Sequence, residues 1–334
     1  MNKKTATITD IAKLANVSKS TVSRVINDST PVNSTKRDAV LAAMKELNFE
    51  PNIFARGLAS GQSKTIGVMT QNIGSPFYDT IAQGILTSLS KTSYSPIFAD
   101  GRWRSETGIA AAETLLGRMV DGLIIVGSRL TQEQLDRLKN RGPILVVGRQ
   151  VEGWDNRCLF LDNERAGYDA TKHLIDLGHR QIAHIEGIEN HQDAIRRKAG
   201  YLRALKEANI EVDQELIHEG NFDGNSGVTA IENLLKKGKK FSAVFAANDM
   251  SAFGARLALY RRGIRVPEDI SIIGFDDQAE SEFSTPPLTT VKQPANEMGE
   301  AAADAMIKLI AGENHKLPVV ESKVVIREST QAYG

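Results

Sequence analysis

The chain has 334 residues with 41 basic and 41 acidic side chains, which is enough for two or three domains and a large buried core. One cysteine, Cys158, excludes an internal disulfide and favours a reducing compartment. The N-terminus is polar and no apolar run approaches the roughly twenty residues that span a bilayer. We therefore expect a cytoplasmic protein without a signal peptide or a membrane contact.

Charge is distributed unevenly along the chain. Residues 1–64 contain ten Lys and Arg against five Asp and Glu, whereas the remainder contains 31 against 36. A small basic module joined to a mildly acidic body suits a protein in which only the first part touches phosphates.

The first 27 residues predict two short amphipathic helices with a tight break between them. Thr9 and Ser18 occupy N-cap positions, and Asn16 at the break tolerates a left-handed backbone. Each cap is followed by apolar residues at helical spacing, namely Ile11, Leu14 and Ala15, then Val22, Val25 and Ile26. This pattern indicates a helix-turn-helix, whose second helix lies in the DNA major groove.

The second helix would present its N-terminal half to DNA. Lys19, Ser20 and Arg24 should project toward base edges, and Arg24 can fork onto a guanine. Further polar residues are placed to bond phosphates and fix the register: Thr7, Ser18, Thr21, Ser23 and Asn27.

A third helix is predicted from the Asn33/Ser34 cap to Leu47, which would bury Val40, Leu41, Met44 and Leu47 and complete an all-α headpiece. After Pro51, residues 52–61 predict a helix of roughly two turns. Isolated helices this short are marginal in water, so this one should form only against a partner.

From Thr65 onward, apolar strands alternate with amphipathic helices, which is typical of parallel sheets covered on both faces. The number of units favours two lobes, with a cleft where the carboxyl ends of the strands face each other. The predicted strands are 65–70, 95–99, 122–126, 144–147, 181–186, 216–218, 242–247 and 271–275, and the helices begin near 76, 105, 131, 165, 193, 224 and 249.

The residues that we expect to contact a ligand in this cleft lie at strand ends and in loops. Phe77 and Tyr78 follow the first strand and offer flat faces to a pyranose or a base; Asp100, Ser128 and Arg149 follow later strands. Trp103 and Trp154 are weaker candidates. The six histidines show no metal-ligand spacing, and no P-loop or G-x-G-x-x-G occurs, so we expect no metal, no cofactor and no enzymatic activity.

The chain resembles the lactose-repressor (LacI/GalR) family of bacterial transcription regulators. The resemblance covers almost the whole chain in the right order. It is carried by Thr9–Asn27, Pro51–Ser60, Gly67–Met69, Ser75–Tyr78, Asp121–Ile124, Leu177–Ala183, Arg197–Tyr201, Ala247–Asp249 and Gly263–Gln293.

The resemblance implies a division of the chain. Residues 1–50 would form the headpiece, 51–63 a hinge helix, 64–163 with 294–327 the first lobe of a core like the periplasmic binding proteins, and 164–293 its second lobe. It also implies a homodimer that binds a pseudo-palindromic operator in double-stranded DNA. The C-terminus lacks the heptads of a tetramer-forming coiled coil, which favours a dimer.

Individual residues follow from the same resemblance. Leu58 would enter the minor groove from two symmetry-related hinge helices, with Asn52 and Arg56 beside the groove wall. The effector cleft would be lined by Arg197, Asn248, Asp276 and Gln293. Gly148 departs from the aspartate that the family often has there.

These features predict a repressor that a sugar or sugar phosphate releases from DNA. One alternative is a corepressor-dependent regulator that binds a purine or another metabolite, because Phe77 and Tyr78 suit base stacking equally well. An alternative of another class is a sugar-binding protein without a DNA function.

Overall fold

The computed structural model describes residues 6–27, 31–49, 62–154 and 156–334. The chain divides into two compact units, Met1–Thr65 with Met119–Asp121 and Ile66–Arg118 with Gly122–Gly334. Each unit is built around its own apolar core, as expected for separately folded domains.

Three helices form the headpiece: α1 (Ile8–Leu14), α2 (Lys19–Asn27) and α3 (Ser34–Glu46). Helices α1 and α2 are joined through Asn16, whose φ of 51° is the predicted left-handed conformation. The core of this unit contains Ile11, Ala12, Val22, Val25, Val40 and Ala43.

Two details of the headpiece prediction are wrong. Thr7, not Thr9, caps α1, because only Thr7 has an acidic residue three positions later; Thr7 and Asp10 form a reciprocal capping box. Leu14 and Leu41 are 46% and 47% exposed, since they lie on the helix faces turned away from this core. The predicted 52–61 helix lies outside the described residues.

The second unit contains a five-stranded sheet in the order β2-β1-β3-β4-β5. Its strands are β1 (Thr65–Thr70), β2 (Ser95–Asp100), β3 (Gly122–Val126), β4 (Ile144–Val147) and β5 (Cys158–Leu159). The connecting helices are α4 (Pro76–Leu89), α5 (Ser105–Gly117) and α6 (Gln132–Lys139). Strands β3 and β4 are buried along their whole length, as in a sheet covered on both faces.

A six-stranded sheet in the order β11-β10-β9-β8-β6-β7 forms the other lobe. Its strands are β6 (Ile182–Ile185), β7 (Ile217–His218), β8 (Ala243–Ala246), β9 (Ser271–Asp276), β10 (Thr289–Lys292) and β11 (Lys323–Val325). The helices that follow β5 in the chain are α7 (Asn163–Asp176), α8 (Gln192–Glu207), α9 (Gly224–Lys236), α10 (Asp249–Arg261), α11 (Ala279–Phe283) and α12 (Ala295–Ile310).

The predicted division of 294–327 needs correction. Helix α12 packs in the core of the first lobe, but β11 pairs with β10 in the second sheet. The pairing is antiparallel, unlike the parallel sheets that the alternation predicted, because the chain returns from α12 along the sheet edge. The chain therefore crosses between the lobes at 160–162, at 293–294 and again at 311–322.

Close helix packing in both lobes depends on pairs of glycines. At Gly167 and Gly200, a Cβ atom on either residue would overlap backbone of the facing helix, so the backbones of α7 and α8 are in direct contact there. The same arrangement recurs at Gly84 with Gly299 (α4 and α12) and at Gly227 with Gly254 (α9 and α10).

No helix among the described residues is long and apolar enough to cross a membrane. Within the same ranges, no group of three or more His, Cys, Asp and Glu side chains is arranged to hold a metal ion.

Candidate DNA-binding and effector sites

Polar side chains cover the N-terminal half of α2. Ser18, Lys19, Ser20 and Arg24 are exposed, while Val22 and Val25 on the opposite face are buried. The Ser18 hydroxyl accepts a hydrogen bond from the Thr21 amide at 3.1 Å, so it caps the helix. This face carries two positive charges and several hydroxyl groups, which suit an anionic partner.

The remaining predicted phosphate contacts occupy less uniform positions. Thr7 is exposed but its hydroxyl is engaged with Asp10 at 2.7 Å, and Thr21 and Ser23 are half-buried. Asn27 is the last residue of α2. Asn52, Arg56 and Leu58 lie outside the described residues.

The cleft between the two sheets holds two adjoining chambers. The inner chamber, about 280 Å³, is lined by Phe77, Tyr78, Ser128, Arg129, Arg149, Asn163, Asn190, His191, Gln192, Asp193 and Gln293, among others. The outer chamber, about 420 Å³, is lined by Asn72, Ser75, Phe77, Tyr78, Arg102, Trp103, Arg104, Arg129, Asp193, Arg197, Asn221, Phe222, Asp223, Asn248 and Asp276, among others. Phe77, Tyr78, Arg129 and Asp193 border both chambers.

Arg197 organises the second-lobe wall. Its Nε donates to Asn163 Oδ1 at 2.8 Å, its Nη1 donates to the Ala247 carbonyl, and its guanidinium lies 3.6 Å from the centre of the Phe275 ring. Asp276 lies 3.9 Å from Nη1. Because these partners fix the guanidinium, its charge is held at one place in the wall.

Asp276 ends β9 in an unusual backbone conformation, with φ of 115°. Its carboxylate accepts hydrogen bonds from Gln293 Nε2 at 2.7 Å and Gln278 Nε2 at 3.3 Å. Burial raises the pKa of Asp276 to about 6, against the opposing effect of Arg197. The residue therefore changes charge close to neutrality, which is typical of ligand sites.

Asp193, at the start of α8, is a second carboxylate whose pKa is raised by burial. Burial raises its pKa to about 6, although Arg197 and Arg149 favour the charged form. Its Oδ1 accepts a hydrogen bond from Asn163 Nδ2 at 3.0 Å. The adjacent His191 is neutral, because burial and three nearby arginines lower its pKa to about 3.

A row of aromatic rings crosses the cleft. Tyr78 contacts Trp103 at 5.5 Å between ring centres, Trp103 contacts His191 at 4.6 Å, and His191 contacts Phe222 at 5.4 Å. Arg102 and Trp103 both have left-handed backbone, with φ of 52° and 55°. This strained loop of the first lobe thus places an indole against the second lobe.

Asn248 combines two roles. Its Oδ1 accepts a hydrogen bond from the Ser251 amide and caps α10, while its Nδ2 donates to the Phe222 carbonyl at 2.9 Å. Neighbouring Asp249 accepts hydrogen bonds from Ser281, Thr290 and the Gln278 amide beneath the chamber wall.

Eight of the nine predicted effector residues line the two chambers, and Asp100 does not. Its carboxylate accepts hydrogen bonds from the Ile73 amide at 3.2 Å and the Arg102 amide at 2.8 Å. Asp100 therefore supports the loop that carries Trp103. Trp154 is buried, with its indole N–H on Asp136 at 2.7 Å, and lies in the first-lobe core.

Comparison with known proteins agrees with this architecture. Residues 7–52 match the family described as bacterial regulatory proteins, lacI family, and residues 171–330 match the periplasmic binding protein-like domain. The ribose operon repressor of Haemophilus influenzae is 36% identical over 327 residues, 97% of this chain and 98% of that protein. The chain belongs to the lacI family of bacterial regulatory proteins.

Other members of the lacI family align over the same length. The HTH-type transcriptional repressor PurR of Vibrio campbellii is 34% identical over 330 residues, 98% of this chain and 99% of that protein. The Lac repressor dimer bound to operator and the anti-inducer ONPF superposes with a TM-score of 0.89 at 31% identity, covering 98% of this chain and all of that one.

Several residues of this lacI-family cleft are not among the effector residues predicted from the sequence. Arg129, Asn163, His191, Asp193 and Phe222 border the chambers but were not predicted. The start of α8, with His191 as its N-cap, carried a usable signal, because helix N-termini beyond parallel strands line such clefts. Phe222 lies in a loop without a periodic pattern, where the sequence gives no comparable signal.

Proposed function

We propose that this lacI-family protein is a sequence-specific transcription repressor whose affinity for operator DNA is set by a saccharide in the cleft. The observation that carries the proposal is one chain joining an exposed, basic α2 face to a two-lobed cleft lined by fixed polar groups. A protein that acts on DNA works where the DNA is, in the bacterial cytoplasm.

For DNA recognition, Lys19, Ser20 and Arg24 would meet base edges from the exposed end of α2. A dimer would place two such helices in successive major grooves of a pseudo-palindromic site. The dimer is supported by the Lac repressor relative, which was solved as a dimer on operator. Leu58, with Asn52 and Arg56, would act at the minor groove between the half-sites.

For effector recognition, the cleft offers donors and acceptors at fixed positions beside flat apolar faces. Arg197, Asn248 and Gln293 provide donors, while Asp193 and Asp276 provide acceptors that suit vicinal hydroxyls. A site whose buried polar groups point at hydroxyls rejects ligands that lack them.

Regulation would follow from a shift between two arrangements of the lobes. DNA favours the arrangement in which the two 53–60 segments of a dimer pack together, and the effector favours the other. Coupling of this kind is typically about 1–3 kcal/mol and is reciprocal.

The test begins with a duplex selected from a random library by the full-length protein. Operator affinity is measured by fluorescence anisotropy with and without each saccharide of a panel, and saccharide affinity is measured by calorimetry with and without operator. We expect both affinities to change by the same factor. If saccharides bind but operator affinity is constant, the coupling is refuted; if no duplex is selected, a sugar-binding role without DNA replaces the repressor.

The corepressor alternative has specific support. The PurR relative and the three aromatic rings Phe77, Tyr78 and Phe222 make a stacked purine a second candidate ligand. Adding a panel of purine bases to the same anisotropy assay separates the two, because a corepressor tightens operator binding and an inducer weakens it.

A further inference from the structure

Two arginines of the first lobe enter the inner chamber without a carboxylate partner among the described residues. Arg149 Nη1 donates to the carbonyls of Ser128 at 3.2 Å and Leu130 at 2.9 Å, and Arg129 Nη2 donates to the Glu189 carbonyl at 2.7 Å. Carbonyl oxygens are neutral acceptors, so they orient the two guanidinium groups but leave both positive charges in place.

The unused edge of Arg149 is the one suited to an oxyanion. Both hydrogens of Nη1 are taken by the two carbonyls, whereas the buried Nε–H has no acceptor within the described chain. In a guanidinium, Nε–H and one Nη2–H lie side by side and form the fork that binds carboxylate or phosphate in a bidentate manner. A buried donor of this kind without a partner is costly unless a ligand supplies one.

The charges that line the inner chamber do not cancel. Its ionisable groups are Arg129, Arg149, Asp193, His191 and Tyr78. Burial keeps His191 neutral, with a pKa of about 3, and raises the pKa of the Tyr78 hydroxyl well above its ordinary value. Two guanidinium groups therefore face a single carboxylate, Asp193, which leaves one net positive charge in the inner chamber. A ligand that carries one negative charge would neutralise it.

We propose that the inner chamber binds the acidic group of an anionic carbohydrate, either a phosphate or a carboxylate, on the Nε–Nη2 edge of Arg149 with Arg129 as the second cation. The proposal rests on the saccharide effector proposed above and narrows it. Asp193 and Gln293 line the same chamber and would meet hydroxyl groups, while Phe77 and Tyr78 cover the apolar face of the ring.

The test uses the full-length protein at pH 7.5 and calorimetry with matched ligands. Each set contains a neutral sugar, its phosphate ester and its carboxylate: glucose, glucose 6-phosphate and glucuronate; galactose, galactose 6-phosphate and galacturonate; ribose and ribose 5-phosphate. Inorganic phosphate is titrated alone. We expect at least one acidic member to bind 100-fold or more tightly than its neutral partner and than inorganic phosphate, and the preferred member identifies phosphate or carboxylate.

Variants assign the effect to Arg149. R149Q should remove the 100-fold preference, so that the acidic member and its neutral partner bind this variant within tenfold of each other. R149K restores the charge without the fork, and it should recover less than a tenth of the lost affinity. R104Q is the matched control, because it removes one arginine from the outer chamber, and it should keep the preference.

Any of four results would overturn the inference. In the ligand panel, these are a neutral sugar that binds as tightly as its acidic partners, inorganic phosphate that binds as tightly as any sugar phosphate, or no binding of any acidic member. Among the variants, it is a folded R149Q that retains the preference. If a neutral sugar binds as tightly as its acidic partners and also alters operator affinity, this inference is refuted but the saccharide effector is not. A purine that alters operator affinity, with no response to any saccharide, refutes the saccharide effector as well.

Discussion

At the scale of single residues, Arg24 is the side chain from which we expect sequence discrimination. It is exposed on α2, and a guanidinium forked onto guanine is worth about 1–3 kcal/mol against the wrong base. Arg24→Ala should therefore weaken binding to the selected operator by about fivefold to 150-fold and relax the preference at one base pair. Anisotropy on a set of single-base operator variants measures both effects.

Lys13→Ala provides the comparison for Arg24→Ala, since it removes one exposed positive charge from α1. It should lower affinity evenly across the operator variants and reduce the salt dependence. An Arg24→Ala protein with the same uniform loss would show that Arg24 contacts phosphate and not a base.

His184 is a second residue with a measurable consequence. It is fully buried between the rings of Tyr201 and Phe245, and its Nδ1 lies 2.9 Å from the Phe245 carbonyl. Burial lowers the pKa of His184 to about 4. Between pH 6.5 and pH 4, this histidine is therefore protonated in the unfolded chain but neutral in the folded protein. The resulting stability is present above pH 6.5 and is lost as the pH falls to about 4.

His184→Phe should remove this dependence. The difference in unfolding free energy between wild type and variant should change by about 3 kcal/mol from pH 7 to pH 4, with wild type losing the stability. Urea unfolding of both proteins at several pH values gives the difference directly and cancels the titration of shared groups, including Asp193, Asp249 and Asp276. A difference that stays constant with pH would contradict the assignment.

At the scale of elements, residues 53–60 form the connector that couples the two functions in the proposed mechanism. Leu58→Ala would remove the proposed apolar wedge and leaves the residues that line the two chambers unchanged. It should weaken operator binding at least tenfold, because unstacking the central base step would no longer be compensated. Effector affinity measured by calorimetry on DNA-free protein should stay unchanged, and equal operator affinity in both proteins would remove the wedge from the mechanism.

The contact of α7 with α8 gives a second prediction at this scale. Gly200→Ala should destabilise the protein by about 1–3 kcal/mol, because the new methyl group meets backbone of α7 that cannot move aside. Gly108→Ala, inside α5, is the matched control. Its methyl group would lie 3.4 Å from the flexible Leu130 side chain, so it should gain about 0.5–1 kcal/mol of helix stability. Thermal unfolding compares the two.

The bounds of helices and strands could be predicted where residues close in sequence determine them. The bounds of β1, β3 and β4 agree with prediction, because these short, mainly apolar runs end at Gly, Pro or a turn. The cap of α1 was predicted wrongly although Thr7 and Asp10 carried the signal. The lobe membership of β11 and the role of Phe222 in the cleft could not be read locally, since both depend on how distant segments meet.

At the scale of the whole molecule, the first lobe is made of two separate pieces of chain. Helix α12 supplies Met298, Ala302 and Met306 to the core formed by Ile81, Ile85 and the first sheet. A protein that ends at Gln293 should therefore lose the cooperative unfolding transition of this lobe, since that face of the sheet would lie in water. Limited proteolysis should cleave the truncated first lobe within minutes, and persistent resistance would contradict the expectation.

Because the chain crosses between the lobes three times, these crossings also determine the order in which the domains can complete their folding during synthesis. Residues 1–50 emerge first, whereas the sheet of the second lobe closes only when Ser329 reaches the Ile272 and Thr289 backbone. A polypeptide released early would carry a finished DNA-reading end and no receptor for the metabolite that governs it. Because both lobes are complete only with the last forty residues, a shortened product would expose apolar core residues to water and to proteases.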